Sequence, residues 1–138
     1  MTDDELRGLV EPQPEPLPTD ARAGEPVWPV LVRELRSAGF RDAARLGELR
    51  DEQGCRKYGV PLATWNGRAA DADAVQEALD GLAYTRCALL KLEEVAAVVG
   101  AESEPTQLVT TLREALRSQR DTLLLLLDAW ELARETTT

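Results

Sequence analysis

Arg56, Lys57, Thr64, Asn66 and Arg68 fall within one short window of the chain. Cations bind phosphate oxygens, and hydroxyl and amide groups read base edges, so the chemistry on offer there is contact with DNA. Other chemistry is poorly supplied. Histidine is absent, which removes the commonest general base and the commonest transition-metal ligand together. Ser37, Ser103 and Ser118 lack a base to activate them. The adjacent Glu93 and Glu94 read as a solvated helix face, because carboxylate metal sites in bundles draw ligands from several inward faces. Gly59 and Gly67 fit no phosphate-loop spacing. Cys55 and Cys87 form no C-x-x-C pair and are expected to be small buried apolar side chains. No catalytic residue, metal or cofactor is expected, and the chain reads as non-enzymatic.

The elements that must position the window follow from composition. The 138 residues suffice for one domain with a core and are too few for two ordinary ones. Isoleucine is absent, and Ala, Leu, Glu and Arg dominate, which favours helix over sheet. The net charge of −9 is unevenly spread. Residues 1–26 carry two Arg against seven acids, residues 27–70 eight Lys/Arg against five, and residues 71–104 two against eight. The overall acidity disfavours nonspecific nucleic-acid binding, while the basic middle segment leaves a localised DNA contact open. No apolar run approaches the roughly 20 residues of a membrane span. Met1 to Glu5 lacks the basic and apolar parts of a signal peptide, so a cytoplasmic location is expected.

Residues 1–26 are expected to be a disordered acidic arm, because Pro12, Pro14, Pro16, Pro18 and Pro26 break helices and favour an extended, polyproline-like chain. Leu6, Leu9 and Val10 allow one short turn against a partner. A single helical domain is expected over 27–138. Its first helix spans Val30 to Ala38, stopped by Gly39. A second spans Asp42 to Arg50, with Ala43, Leu46 and Leu49 buried. A third runs from Asp51, as cap, to Tyr58, closed by Gly59. A short segment from Leu62 to Arg68 follows.

Residues 71–136 read as an antiparallel helical hairpin. Asp71 or Asp73 is expected to cap the first long helix, with Gln76 completing a capping box. Gly100 to Glu104 is the turn, and Pro105 suits a first helical turn. In the second long helix Leu108, Leu112, Ala115, Gln119, Leu123, Leu126, Trp130 and Ala133 recur at alternating steps of four and three, a coiled-coil-like seam. Five successive leucines, Leu123 to Leu127, cover the whole circumference of that helix. One partner surface cannot bury all of them. Leu123, Leu124, Leu126, Leu127 and Trp130 are therefore expected to serve either as subunit contacts or as intramolecular core. The fold class is all-α with about five helices.

Cys55, Gly59, Val60 and Trp65 meet the spacing of a helix-turn-helix: a small residue at the crossing, a glycine at the turn and hydrophobes after it. The window from Gln53 to Arg68 resembles the helix-turn-helix of bacterial regulators, with Tyr58-Gly59-Val60 and Ala63-Thr64 joining the helices. In that resemblance Arg56, Lys57, Thr64, Asn66 and Arg68 contact DNA. The hairpin segments Ala88 to Glu93, Ser103 to Leu108 and Leu112 to Leu116 resemble those of phage small terminase subunits. In that family a helix-turn-helix precedes a hairpin that assembles subunits into a ring, and the ring presents viral DNA to the packaging motor. The resemblance implies a homo-oligomer contacting DNA. The alternative is an acidic protein-interaction module, such as an antitoxin, inhibitor or assembly chaperone, that covers a basic protein partner and binds no DNA.

Overall fold

The computed structural model describes residues 1–15, 24–100 and 102–137. Among the described residues it is all-α, with five helices and no strand. The order is α1 Asp3–Leu9, α2 Val27–Ser37, α3 Arg41–Tyr58, α4 Ala70–Val99 and α5 Glu104–Thr137. The chain divides into two compact units. One holds Met1–Pro12 and Ala69–Thr138, the other Gln13–Arg68.

In the first unit α4 and α5, of 30 and 34 residues, pack along each other as the expected hairpin. The turn is built from hydroxyls. Ser103 Oγ and Thr106 Oγ1 each donate to the Gly100 carbonyl at 2.7 Å, and Ser103 Oγ accepts the Thr106 N–H at 3.4 Å. Neither Asp71 nor Asp73 caps α4. Ala69 occupies the cap position without a side-chain bond. The Gln76 amide does not turn back to the helix start; it donates to the carbonyls of Leu9 and Glu11, both at 2.8 Å.

Those carbonyls lie at and just beyond the end of α1, which replaces part of the expected arm. Thr2 and Glu5 form a capping box at its start, and Asp3, Asp4 and Glu5 complement the positive helix end. Leu9 is buried with Ala72, Val75, Leu123 and Trp130. Leu6 and Val10 stay exposed. The acids of its first turn and the prolines from Pro12 onward hid a helix of only seven residues that the hairpin itself supports. Of the remaining arm, residues 16–23 lie outside the described residues.

The hairpin core takes only part of the leucine run. Leu123 and Trp130 are buried, and Leu126 and Leu127 pack against them. Leu124 and Leu125 are 54% and 70% exposed. Further along, Leu89 and Val109 are buried, whereas Leu108 and Ala133 of the expected seam are exposed. The seam is therefore rotated by one residue near the turn. Gln119 sits on the seam near Gly81, with its Oε1 enclosed and unpartnered.

The second unit pairs α2 with α3. Helix α2 starts three residues earlier than expected. Pro29 occupies its first turn, where the missing N–H would find no intrahelical partner anyway. Helix α3 is continuous over the two helices expected at 42–58, because Asp51 does not cap. Its carboxylate instead accepts the Cys55 thiol at 3.7 Å. Burial is shifted by one position: Ala44 and Gly47 face inward, while Ala43, Leu46 and Leu49 are exposed. Close approach explains the shift. A Cβ on Gly47 would lie 3.1 Å from Val32 Cγ2 and 3.5 Å from the Trp28 ring, so small residues occupy the crossing.

Candidate functional site

Helix α3 ends as the sequence predicts. Gly59 adopts φ +74° and its N–H bonds the Cys55 carbonyl. No second helix of a helix-turn-helix follows, and this corrects the expectation for residues 62–68. Pro61 offers no N–H, and the backbone is committed elsewhere. Val27 N–H bonds the Leu62 carbonyl at 2.8 Å, and Pro26 bridges Ala63 in antiparallel fashion. The Thr64 hydroxyl donates to the Glu25 carbonyl at 3.3 Å. Asn66 is buried, and its Oδ1 accepts the Arg68 N–H at 3.0 Å, a local turn that competes with helix. Gly67 takes φ +80°. Trp65, expected as a packing hydrophobe, is exposed.

The five expected DNA contacts thus do not share a recognition helix. Arg56 and Lys57 lie on the exposed last turn of α3. Arg56 is held against Glu52, through the backbone carbonyl at 3.4 Å and the carboxylate at 3.9 Å. Lys57 Nζ stands 4.7 Å from the Tyr58 ring centroid. Its pKa is raised, chiefly by the Tyr58 hydroxyl and less by the Glu15 carboxylate, while Arg50 opposes the shift. Thr64 and Asn66 turn toward their own chain. The Arg68 guanidinium donates to the Pro14 carbonyl at 2.7 Å.

Lys57 and Arg68, but not Arg56, line a cavity of about 380 Å³ in the second unit. Trp28, Tyr58, Val60, Pro61 and Leu62 supply its apolar walls, and Arg50, Lys57 and Arg68 its cationic ones. Sequence reasoning found Lys57 and Arg68 but missed Trp28, Arg50 and Pro61. The signal was present as a local cluster of aromatic, proline and basic residues. The cavity forms only because 60–64 folds back beside 25–27, a pairing no helical periodicity announces.

Elsewhere, Glu48 receives Arg36 and Arg45, the latter at 2.9 Å. Hydrogen bonds from Arg45, then Arg36, hold its carboxyl below the ordinary glutamate value. A lowered folded-state pKa stabilises above the ordinary value, and that stabilisation is lost as pH falls toward the lowered one. Stability of the α2–α3 unit is expected to decline over that acid window, and Glu48→Gln should flatten the decline. Chemical denaturation across a pH series measures this; an unchanged slope in the variant would remove Glu48 from the account.

Cys55 is half-buried, and burial, then the Asp51 carboxylate, pushes its thiol up. An elevated thiol carries little thiolate and is unreactive at neutral pH. Cys87, expected to be buried, is exposed on α4. Among the described residues no group of three or more His, Cys, Asp and Glu side chains is placed to hold a metal. No described helix is long and apolar enough to cross a membrane. No family model, curated protein or solved structure matches the chain.

Proposed function

We propose that this is a non-enzymatic assembly protein, small-terminase-like in its hairpin, whose copies self-associate through that hairpin and contact DNA through residues 53–68. The observation that carries the reading is the apolar surface left on the α4–α5 hairpin. Tyr84, Val95 and Val98 recur along the outer side of α4, and Leu124, Leu125 and Leu132 remain open on α5. Two helices and a seven-residue third can cover only the facing stripes of each other, so a further copy supplies the missing cover. DNA contact then rests on Arg56 and Lys57. Without a recognition helix their targets are phosphates, and binding is largely independent of base sequence.

Light scattering coupled to size exclusion, followed by fluorescence anisotropy with a DNA duplex at several salt concentrations, tests both halves. An oligomer is expected. DNA affinity should fall steeply with salt, and Arg56→Ala with Lys57→Ala should reduce the salt slope by about 1 per lost phosphate contact. A monomer that ignores DNA would overturn the proposal.

One observation favours the second reading, an acidic module for a basic protein partner. The segment 60–69 forms no recognition helix, while α4 keeps Asp71, Glu77, Asp80 and Glu94 at its surface. That reading predicts DNA indifference together with salt-sensitive capture of a basic protein.

A further inference from the structure

We propose that the cavity at the end of α3 is a docking groove for an extended, acidic, proline-containing peptide. The inference goes beyond the assembly reading and does not depend on it.

The walls match that occupant's chemistry. Proline-rich strands adopt a preformed, left-handed extended helix with no internal hydrogen bonds, so their carbonyls stay open to donors. They dock where aromatic and proline side chains form a ridged apolar surface, because little conformational entropy is lost on binding. Trp28, Tyr58 and Pro61 provide such a surface here. Arg50, Lys57 and Arg68 add three cations against the single acid Asp51, so the groove selects an acidic strand.

The chain itself shows the contact on a small scale. Arg68 already donates to the carbonyl of Pro14, within the sequence Gln13-Pro14-Glu15. The Glu15 carboxylate is one of the charges that raise the Lys57 pKa. Pro14 thus meets the groove's cationic rim through its carbonyl on the Arg68 guanidinium, and the Glu15 carboxylate acts on the Lys57 ammonium through its charge, as expected of the proposed ligand. Residues 14 and 15 act as a built-in, weak competitor.

The experiment uses the full chain and a fluorescent peptide of sequence Glu-Pro-Gln-Pro-Glu, read by anisotropy at low salt. Saturable binding is expected. Lys57→Glu should weaken it about tenfold, as for reversal of a contacting charge. Replacing both peptide glutamates by lysine, or both prolines by alanine, should weaken it as well. Glu15→Lys in the protein should strengthen peptide binding by removing the carboxylate that competes for Lys57. Circular dichroism checks that each variant remains helical; Lys57 and Glu15 are exposed, so folding should be unaffected. Three results would overturn the proposal. One is an absence of saturable binding to both the wild-type chain and the Glu15→Lys variant. Another is equal affinity for the glutamate and lysine peptides. The third is binding that ignores Lys57→Glu.

Discussion

Replacing Leu123 with alanine is expected to cost about 2–5 kcal/mol of stability, whereas Leu125→Ala, two residues on, should cost less than about 0.5 kcal/mol within one chain. The two side chains are chemically identical and share a helix. Leu123 is 9% exposed and lies against Val75, Ala72 and Trp130, so its truncation removes buried methyl groups and opens a cavity. Leu125 is 70% exposed and leaves nothing behind. Urea denaturation followed by circular dichroism measures both. In the dilute limit only the Leu123 variant should shift its midpoint. If copies self-associate as proposed, the Leu125 variant should shift too at high concentration, because it would lose the cover of a second copy. Equal losses in the dilute limit would show that the run is buried on all sides within one chain. A concentration-independent result for Leu125→Ala would remove that residue from the self-association surface.

The second large effect is expected at Gly47. Gly47→Leu should destabilise the α2–α3 unit by about 1–3 kcal/mol. The crossing has no room: even one added carbon meets Val32 Cγ2 at 3.1 Å, and a leucine extends further into the Trp28 ring. Gly54 supplies the control on the same helix. Nothing lies within 4 Å of a Cβ there, so Gly54→Ala should stabilise by about 0.5–1 kcal/mol through backbone entropy alone. Thermal unfolding ranks the three proteins. Should Gly47→Leu melt with the wild type, the close crossing of α2 and α3 would be wrong.

Gly47 also shows where sequence pattern runs out. The apolar residues Ala43, Leu46 and Leu49 have helical spacing and attracted the assignment of a buried stripe, yet the inward positions are Ala44 and Gly47. Periodicity scores hydrophobicity; it does not score how close two helices come. The hairpin was legible because its signals are long and redundant. Turn glycine, Pro105 and a seam through Leu112, Leu123 and Trp130 all agree. The site was legible only in part. Gly59 forecast the end of α3 correctly, but the short segment after it is ruled by Pro61, Asn66 and pairing with residues 25–27. These are non-local or side-chain-to-backbone bonds that spacing rules miss. Helix α1 was missed for the complementary reason. Seven residues are too few to announce a helix, and its support comes from Val75 and Trp130 far along the chain.

The placement of α1 has a consequence for the order of folding. Leu9 and the Leu9 and Glu11 carbonyls meet Ala72 and Gln76, and Glu5 meets Arg134 at 3.1 Å, so the contact closes a loop through all of residues 13–68. The α4–α5 pairing, by contrast, closes only a short turn. Helix α1 is therefore expected to dock after the hairpin has formed, its attachment carrying the closure entropy of the whole intervening segment. That entropy grows only logarithmically, by about 0.6 kcal/mol for each doubling of loop length. Lengthening residues 16–23 would thus leave α1 nearly as firmly attached, and topologically the second unit behaves as an insert carried by the first.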